Sequence, residues 1–197
     1  MLSVYLLRHS ETTYNADGNR YCGRTDATLT NKGIKQATNV FNKLKDEKFD
    51  AVYSSPLSRA LITAQIATES KDVQTDERII EVDFGAWEGK TREEFINEAP
   101  PLWEAWVNDP AKAKAGGTGE TGDQVIERVN AFFDEMLKKH ENQTIVVVAH
   151  NGINRLYMAH KLGMELKNYR RIFQENSAIT FFELDDAGEI ILKKLNA

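Results

Sequence analysis

The sequence predicts a single α/β domain over residues 1–197, with a mostly parallel central sheet between two layers of helices. Short apolar runs alternate with amphipathic helical segments along most of the chain, which is typical of parallel sheets covered on both faces. A hairpin signal near the C-terminus predicts that the sheet finishes with antiparallel strands. A chain of this length buries roughly 70% of its unfolded surface, which is enough to sustain a core without disulfides.

The first element is a strand, Ser3 to Leu7, and a loop rich in Asn, Asp and Gly then runs to Leu29. Loops of this length in compact domains are usually functional or disordered. Thr30 is a suitable N-cap for the helix that follows. The apolar positions that recur at helical spacing in this helix are Ile34, Ala37, Val40, Phe41 and Leu44.

A second strand, Ala51 to Tyr53, leads into another helix. Ser55 is a good N-cap and Pro56 suits the first helical position, so Arg59 falls in the first turn. In that position, the side chain of Arg59 and the free backbone N–H groups of the first turn face a ligand bound beyond the edge of the sheet. The apolar face of this helix consists of Leu57, Ala60, Leu61, Ala64 and Ala67.

The middle of the chain contains a short strand near Val73 and an apolar segment from Ile79 to Gly85. A capping box from Thr91 to Glu94 opens a helix that Pro100 breaks. The glycine cluster from Gly116 to Gly122 predicts a mobile loop, but its spacing is not that of a dinucleotide or P-loop fingerprint. The long helix after it points Val125, Val129, Phe132, Phe133 and Met136 inward.

The C-terminal part begins with an apolar strand, Thr144 to Ala149, which runs directly into His150. Ile153, Leu156, Tyr157 and Leu162 continue a helix that Gly163 ends. The predicted hairpin pairs Ala178 to Leu184 with Ile190 to Leu195.

Charge and cysteine content exclude several classes of function. The chain carries 25 Lys and Arg against 30 Asp and Glu, and a net charge of −5 without a basic stripe argues against nucleic acid as a partner. No apolar run approaches the roughly 20 residues that a membrane span needs. Cys22 is the single cysteine and no charged-then-apolar leader precedes Arg8, so we expect a cytoplasmic protein. We also expect a monomer or a small homo-oligomer.

Two histidines follow strands. His9 comes directly after Arg8 at the end of the first strand, and His150 follows the strand that ends at Ala149. Open α/β sheets bind ligands at the carboxyl ends of their strands, and Arg59 is predicted to face the same edge. One histidine after a strand is more often structural than catalytic, but this combination favours a site.

An imidazole beside arginines suggests chemistry on a phosphoryl group. Arg8 and Arg59 can neutralise a phosphomonoester dianion, and a neutral imidazole can attack the phosphorus. The leaving alkoxide then needs a proton, which Glu81 could supply as a carboxylic acid whose apolar neighbours raise its pKa. The alternative interpretation of Glu81 is a solvated surface glutamate.

Four blocks of the sequence resemble the signature blocks of the histidine phosphatase superfamily, the family named for cofactor-dependent phosphoglycerate mutase. They are Arg8-His9, Ser54-Ser55-Pro56 before Arg59, Glu81 to Gly89, and Ala149-His150-Asn151-Gly152, and they occur in the family's order over nearly the whole chain. The resemblance implies the phosphoglycerate mutase-like, three-layer α/β/α fold.

The resemblance also implies roles for individual residues. It makes His9 the nucleophile that forms a phosphohistidine and Glu81 the proton donor, whereas the residues alone do not distinguish His9 from His150 as nucleophile. The side chains that it assigns to binding the phosphoryl oxygens are Arg8, Thr12, Asn15, Arg59, His150 and Asn151. Gly23 matches a loop near the substrate. The family needs no metal, and we expect no cofactor for this chain.

Two positions depart from the family pattern. Ser10 follows the nucleophilic histidine where the family usually has glycine, so either the backbone tolerates a small side chain or the loop is rearranged. Asn151 replaces a common glycine after the second histidine, which concerns the detail of that phosphate contact.

Within the superfamily, the chain is most similar to small bacterial-type phosphatases, such as α-ribazole phosphatases, broad-specificity phosphatases and metal-independent phosphoserine phosphatases. The mutases have a longer insertion before the second histidine block and a C-terminal tail over the pocket. We therefore expect hydrolysis of a small phosphorylated metabolite. Two alternatives are mutase-type phosphoryl transfer and an inactive relative that only binds phosphate.

The remaining candidates have simpler interpretations. We expect His140 and His160 on the surface, and an inert thiol at Cys22. Arg170 and Arg171 could bind phosphate, but exposed arginines are commoner, so neither is assigned to the site. The tryptophans, Trp87, Trp103 and Trp106, are expected in the core or the pocket wall.

Overall fold

The computed structural model covers residues 1–197. The strands are β1 (Leu2–Arg8), β2 (Ala51–Ser54), β3 (Val73–Thr75), β4 (Thr144–Ala149), β5 (Ile179–Leu184) and β6 (Ile190–Lys194). The α-helices are α1 (Thr13–Ala16), α2 (Asn31–Leu44), α3 (Ser58–Thr68), α4 (Arg92–Glu98), α5 (Pro100–Asn108), α6 (Gly122–Lys139) and α7 (Asn151–Lys161). Short 3₁₀ helices span Glu77–Ile79, Gly85–Trp87, Ala115–Gly117 and Leu166–Arg171.

The strands form one six-stranded sheet in the order β3-β2-β4-β1-β5-β6. The first four in this order are mutually parallel, and β5 and β6 add the predicted antiparallel hairpin at one edge. The mostly parallel α/β sheet predicted from the sequence is confirmed. None of the helices combines the length and the apolar character that a membrane span requires.

Alternate residues of the central strands serve two cores, one on each face of the sheet. Val146 and Val148 of β4 pack with the apolar stripes of α2 and α3. Ile145 and Val147 of the same strand pack with α6 and α7. Because side chains of a strand point alternately to opposite faces, this division accounts for the continuous apolar run of β4. The sheet is therefore the middle of three layers, with helices on both of its faces.

The start of α3 differs from the prediction. The N-cap is Leu57 rather than Ser55, and Pro56 lies before the helix. Asp26 takes over the capping, because its carboxylate accepts hydrogen bonds from the backbone N–H and the hydroxyl of Ser58. The predicted position of Arg59 in the first turn is nevertheless confirmed.

Four other local predictions are wrong. Ile34 and Leu162 are 45% and 41% exposed, so neither belongs to the buried apolar face that the helical spacing predicts. The loop after β1 contains a short helix, α1, which Thr12 caps. His140 is buried at the C-cap of α6, where its ring lies 2.8 Å from the Tyr53 hydroxyl and 2.6 Å from Gln143 Oε1.

The glycine cluster is packed into the structure rather than a free loop. Gly116 has φ +58° and lies in a 3₁₀ turn against the backbone of Phe84. A Cβ at this position would come within 2.2 Å of the Phe84 carbonyl oxygen. Glycine is therefore required by close backbone approach and not by ligand binding.

Replacing Phe182 of β5 by Ala should lower the free energy of unfolding by about 3–5 kcal/mol, because it leaves a cavity in the core beside Phe133. Phe182 is fully buried, whereas Phe173 is 66% exposed. Phe173→Ala is the matched control, and it should change stability by less than about 0.5 kcal/mol. Denaturant titration measures both, and equal losses would contradict this assignment of the core.

Candidate active site

The pairing of β1 with β4 brings the two histidines together. Arg8 lies opposite Ala149 in the parallel register, so His9 and His150 leave the sheet at the same level. The backbone N–H of His9 donates to the carbonyl of Ala149 at 2.9 Å. The two imidazole rings lie 5.2 Å apart between centroids. The prediction that two strands deliver histidines to one sheet edge is confirmed.

His9 is held in a defined tautomer. Its Nδ1 lies 2.7 Å from the carbonyl oxygen of Ser10, and a carbonyl can only accept, so Nδ1 carries the hydrogen. Burial, with the charges of Arg59 and Arg8, lowers the pKa of His9 well below its ordinary value. At neutral pH the ring is therefore uncharged, and Nε2 carries a lone pair.

His150 is fully buried, and neither of its ring nitrogens has a hydrogen-bond partner in the protein. Burial lowers the pKa of His150 well below the ordinary value, and the nearby Arg59 adds to the effect. Buried polar nitrogens are normally paired, so these atoms are suited to meeting a ligand oxygen beside His9.

Arg8 and Arg59 are oriented by backbone carbonyls. Arg8 Nη1 donates to the carbonyl of Gln174 at 2.8 Å. Arg59 is fully buried and donates to the carbonyls of Thr25 at 2.8 Å and Gly23 at 2.6 Å. Burial lowers the pKa of Arg8 to about 10, which leaves it charged at neutral pH. Gly23 thus belongs to a loop that is fastened to the site through Arg59.

Glu81 is only 6% exposed, so the interpretation as a surface residue is wrong. Its carboxylate accepts backbone N–H groups from Val82 at 2.9 Å, Gly152 at 3.0 Å and Ile153 at 3.1 Å. The last two belong to the first turn of α7, where unpaired N–H groups attract anions. Arg128 Nη1 also donates to the carbonyl of Ile80 at 2.7 Å, which fixes the backbone on which Glu81 sits.

The other predicted phosphate ligands differ in accessibility. Thr12 is fully buried and its hydroxyl takes part in the capping box of α1 with Asn15. Asn15 lines the cavity, but its Oδ1 already accepts from Thr12 and from Asn176. Asn151 also lines the cavity, and its Oδ1 has no partner.

Ser10 fits without rearranging the backbone. Neither Ser10 nor Asn151 has a positive φ angle, so both backbones accept an L side chain. The Ser10 hydroxyl is buried and lies 2.6 Å from the hydroxyl of Ser177. The two departures from the family pattern are therefore local substitutions.

The cavity in front of His9 has a volume of about 470 Å³ and is lined by more arginines than the sequence predicted. Arg155 lies one helical turn after Asn151, and this i,i+4 spacing could have revealed it. Arg170 lies on the 3₁₀ helix Leu166–Arg171, which gives no periodic signal. Arg170 is half-buried and lines the cavity, contrary to the expected exposure, whereas Arg171 is exposed as expected.

Cys22 also lines this cavity. Burial raises the pKa of its thiol to about 11, so at neutral pH the group is a protonated thiol. The thiolate is the nucleophilic form of cysteine. The raised pKa supports the prediction that Cys22 is inert.

A second cavity, of about 550 Å³, lies beside His160 between α5, α6 and the 3₁₀ helix that begins at Leu166. Its lining carries four carboxylates, from Asp109, Asp123, Glu127 and Glu165. These charges would repel a phosphomonoester dianion. The cavity at His9 is therefore the candidate active site.

The sequence matches the model of the histidine phosphatase superfamily (branch 1) over residues 4–197. The chain belongs to this superfamily. It is 35% identical over 195 residues to phosphoserine phosphatase 1 of Hydrogenobacter thermophilus, covering 98% of this chain and 92% of that protein. Adenosylcobalamin/α-ribazole phosphatase of Escherichia coli is 33% identical over 165 residues, covering 83% and 80% of the two chains.

A solved structure of phosphoserine phosphatase from Entamoeba histolytica, in complex with 3-phosphoglyceric acid, superposes with a TM-score of 0.90. The two proteins are 34% identical, and the match covers 100% of this chain and 98% of the other. Like these relatives, this histidine phosphatase is a phosphoric monoester hydrolase, and its fold is phosphoglycerate mutase-like.

The stability of this histidine phosphatase should fall as the pH is lowered from 7.5 towards 5. The folded-state pKa values of His9 and His150 are depressed below 6.5, so below that pH the unfolded chain binds more protons. The loss is at most about 1.4 kcal/mol per pH unit for each histidine.

Denaturant unfolding at a series of pH values measures this loss. His150→Asn should give a shallower dependence than the parent chain, because one of the two buried imidazoles is gone. His160→Asn, at an exposed position, is the matched control and should retain the parental slope. Parallel curves for all three proteins would rule out this origin of the pH dependence.

Proposed function

We propose that this chain hydrolyses a small phosphorylated metabolite without a metal ion, through a phosphohistidine formed on His9. One observation carries the proposal. The Nδ1 hydrogen of His9 is committed to the Ser10 carbonyl, which leaves the Nε2 lone pair free beside the half-buried Arg8 and the buried Arg59. An uncharged nucleophile between two cations is the arrangement that attack on a phosphate dianion requires.

In the first step, His9 Nε2 attacks the phosphorus and the bond to the ester oxygen breaks. Glu81 gives its proton to the leaving alkoxide, while Arg8, Arg59 and His150 bind the phosphoryl oxygens. In the second step, Glu81 takes a proton from water, the resulting hydroxide attacks phosphorus, and the P–N bond breaks. His9 is thereby regenerated in its neutral form and phosphate leaves.

Two features favour hydrolysis over transfer to a second substrate. The relatives described above are named as phosphatases. The rim of the cavity includes the exposed residues Gly18, Asn19 and Arg92, so water reaches the site. A mutase has to exclude water from its phosphoenzyme.

We further propose that the reaction takes place in the cytoplasm, where the single free thiol of Cys22 would stay reduced.

Substituting His9 by Ala should abolish turnover, because the attacking atom is lost. We expect kcat for para-nitrophenyl phosphate, measured with a chelator present, to fall by more than about a thousandfold. The parent chain mixed with a ³²P-labelled ester should give an acid-labile phosphoenzyme that His9→Ala does not form. Turnover retained in the variant would eliminate His9 as nucleophile, and phosphate binding without turnover in the parent would indicate a binding protein.

Replacing Glu81 by Gln should slow alkyl phosphates roughly a hundredfold to ten-thousandfold, because their leaving groups need a proton. The same variant should slow para-nitrophenyl phosphate less, because nitrophenolate leaves without full protonation. The measurement is kcat for phosphoserine and for para-nitrophenyl phosphate in both proteins. Equal losses on the two esters would refute the role of Glu81 as proton donor.

A further inference from the structure

Three arginines in the active-site cavity have no hydrogen-bond or ion-pair partner in the protein: Arg92, which is exposed, and Arg155 and Arg170, which are half-buried. The arginines that line the cavity are Arg8, Arg20, Arg59, Arg92, Arg155 and Arg170. Arg155 and Arg170 make no hydrogen bond or ion pair through their guanidinium groups, and Arg155 Nε and Arg170 Nη2 are buried donors without an acceptor. Buried donors are normally satisfied, so the cavity lacks an acceptor at this place.

Arg20 shows how the protein neutralises an arginine that has a structural role. In the same cavity, Arg20 pairs with Asp17 and Glu94, each at 2.7 Å, and donates to the carbonyl of Gly89 at 3.0 Å. No carboxylate lies within 4 Å of Arg155 or Arg170 to do the same, and the only acidic residue in the cavity lining is Glu81. Their charges are left available to a ligand.

Both guanidinium groups lie over aromatic rings. Arg170 Cζ lies 4.2 Å from the centroid of Trp103 and 5.0 Å from that of Tyr169. Arg155 Cζ lies 5.2 Å from the Tyr169 centroid. Tyr169 is itself anchored, because its hydroxyl accepts the indole N–H of Trp106 at 3.1 Å. Stacking occupies the faces of a guanidinium group and leaves its N–H edges free to donate.

The two cations also disfavour each other. Burial and the nearby charge of Arg170 both lower the pKa of Arg155. Holding two like charges together in a partly buried place is unfavourable unless an anion joins them. The phosphoryl group is already assigned to Arg8, Arg59 and the two histidines, so the anion at Arg155 and Arg170 is a different group.

We propose that Arg155 and Arg170 bind a carboxylate on the carbon skeleton of the phosphomonoester. The proposal rests on the proposed function and adds the substrate class: a small molecule with a phosphoryl group at one end and a carboxylate near it. A planar carboxylate matches the paired N–H edges of a guanidinium group. A cavity of about 470 Å³ accommodates a metabolite of this size.

The test compares two pairs of esters that differ in the carboxylate. Phosphoserine is paired with phosphoethanolamine, and 3-phosphoglycerate with glycerol 3-phosphate. The parent chain should give a higher kcat/KM for the carboxylated member of each pair, by roughly tenfold to a hundredfold, because charge-assisted hydrogen bonds are lost with the carboxylate. Most of the difference should be in KM.

The double variant Arg155→Met, Arg170→Met should lose this preference, and methionine keeps the apolar stems. Its kcat/KM for phosphoethanolamine and for para-nitrophenyl phosphate should change less than about threefold, which also shows that the variant is folded. Arg171→Met is the matched control, because Arg171 is adjacent, exposed and outside the cavity. It should behave like the parent chain.

The outcomes separate this inference from the proposed function. No preference in the parent chain, or an equal fall for both members of a pair in the double variant, would overturn the inference while hydrolysis by His9 stands. If the parent chain hydrolyses no ester, the proposed function fails, and calorimetric binding of phosphoserine and phosphoethanolamine to the parent chain still tests the arginines. Binding of both esters with equal affinity would then overturn the inference.

Discussion

The parallel pairing of β1 with β4 determines where both histidines lie, because Arg8 stands opposite Ala149 and the next residue of each strand is a histidine. Side chains alternate across a strand, so a slip of one residue would turn the apolar sets of Ile145 and Val147 towards the wrong core. The two cores therefore fix the register, and the register fixes the distance between the imidazoles. Packing on both faces of the sheet is what sets the geometry of the chemistry.

Positive charge is concentrated at the site of a protein whose net charge is −5. Arginines in this structure have two kinds of hydrogen-bond partner, carboxylates and backbone carbonyls. Arg20 and Arg128 pair with carboxylates and hold loops in place. Arg8 and Arg59 donate to backbone carbonyls, which orient a guanidinium group without cancelling its charge, and the one carboxylate near Arg59 is that of Asp26, at 3.8 Å. The charge that faces the cavity is thus preserved for the ligand.

The strands, the long helices and the residues that follow strand ends could be predicted from the sequence, because apolar periodicity and turn chemistry are local. The predicted site residues His9, His150 and Arg59 lie at such ends or first turns, whereas Glu81 lies in an irregular segment after the 3₁₀ helix Glu77–Ile79 and not at a strand end. What could not be predicted depends on residues distant in sequence. His140 is buried because its ring contacts Tyr53 of β2. The N-terminus of α3 is capped by Asp26, which lies in the loop before α2. Arg170 reaches the cavity because Trp103 lies beneath it.

Four of the cavity arginines, two assigned to the phosphoryl group and two to the carboxylate, divide by the elements that carry them. Arg8 ends β1 and Arg59 opens α3, so both belong to the framework of the sheet. Arg155 lies in the second turn of α7, and Arg170 lies on a 3₁₀ turn against Trp103 and Tyr169. In the proposed mechanism, reaction and selectivity therefore depend on separate parts of the chain. Substitutions on α7 and on the 3₁₀ helix would then change which metabolite the enzyme accepts and leave the framework at the sheet edge undisturbed.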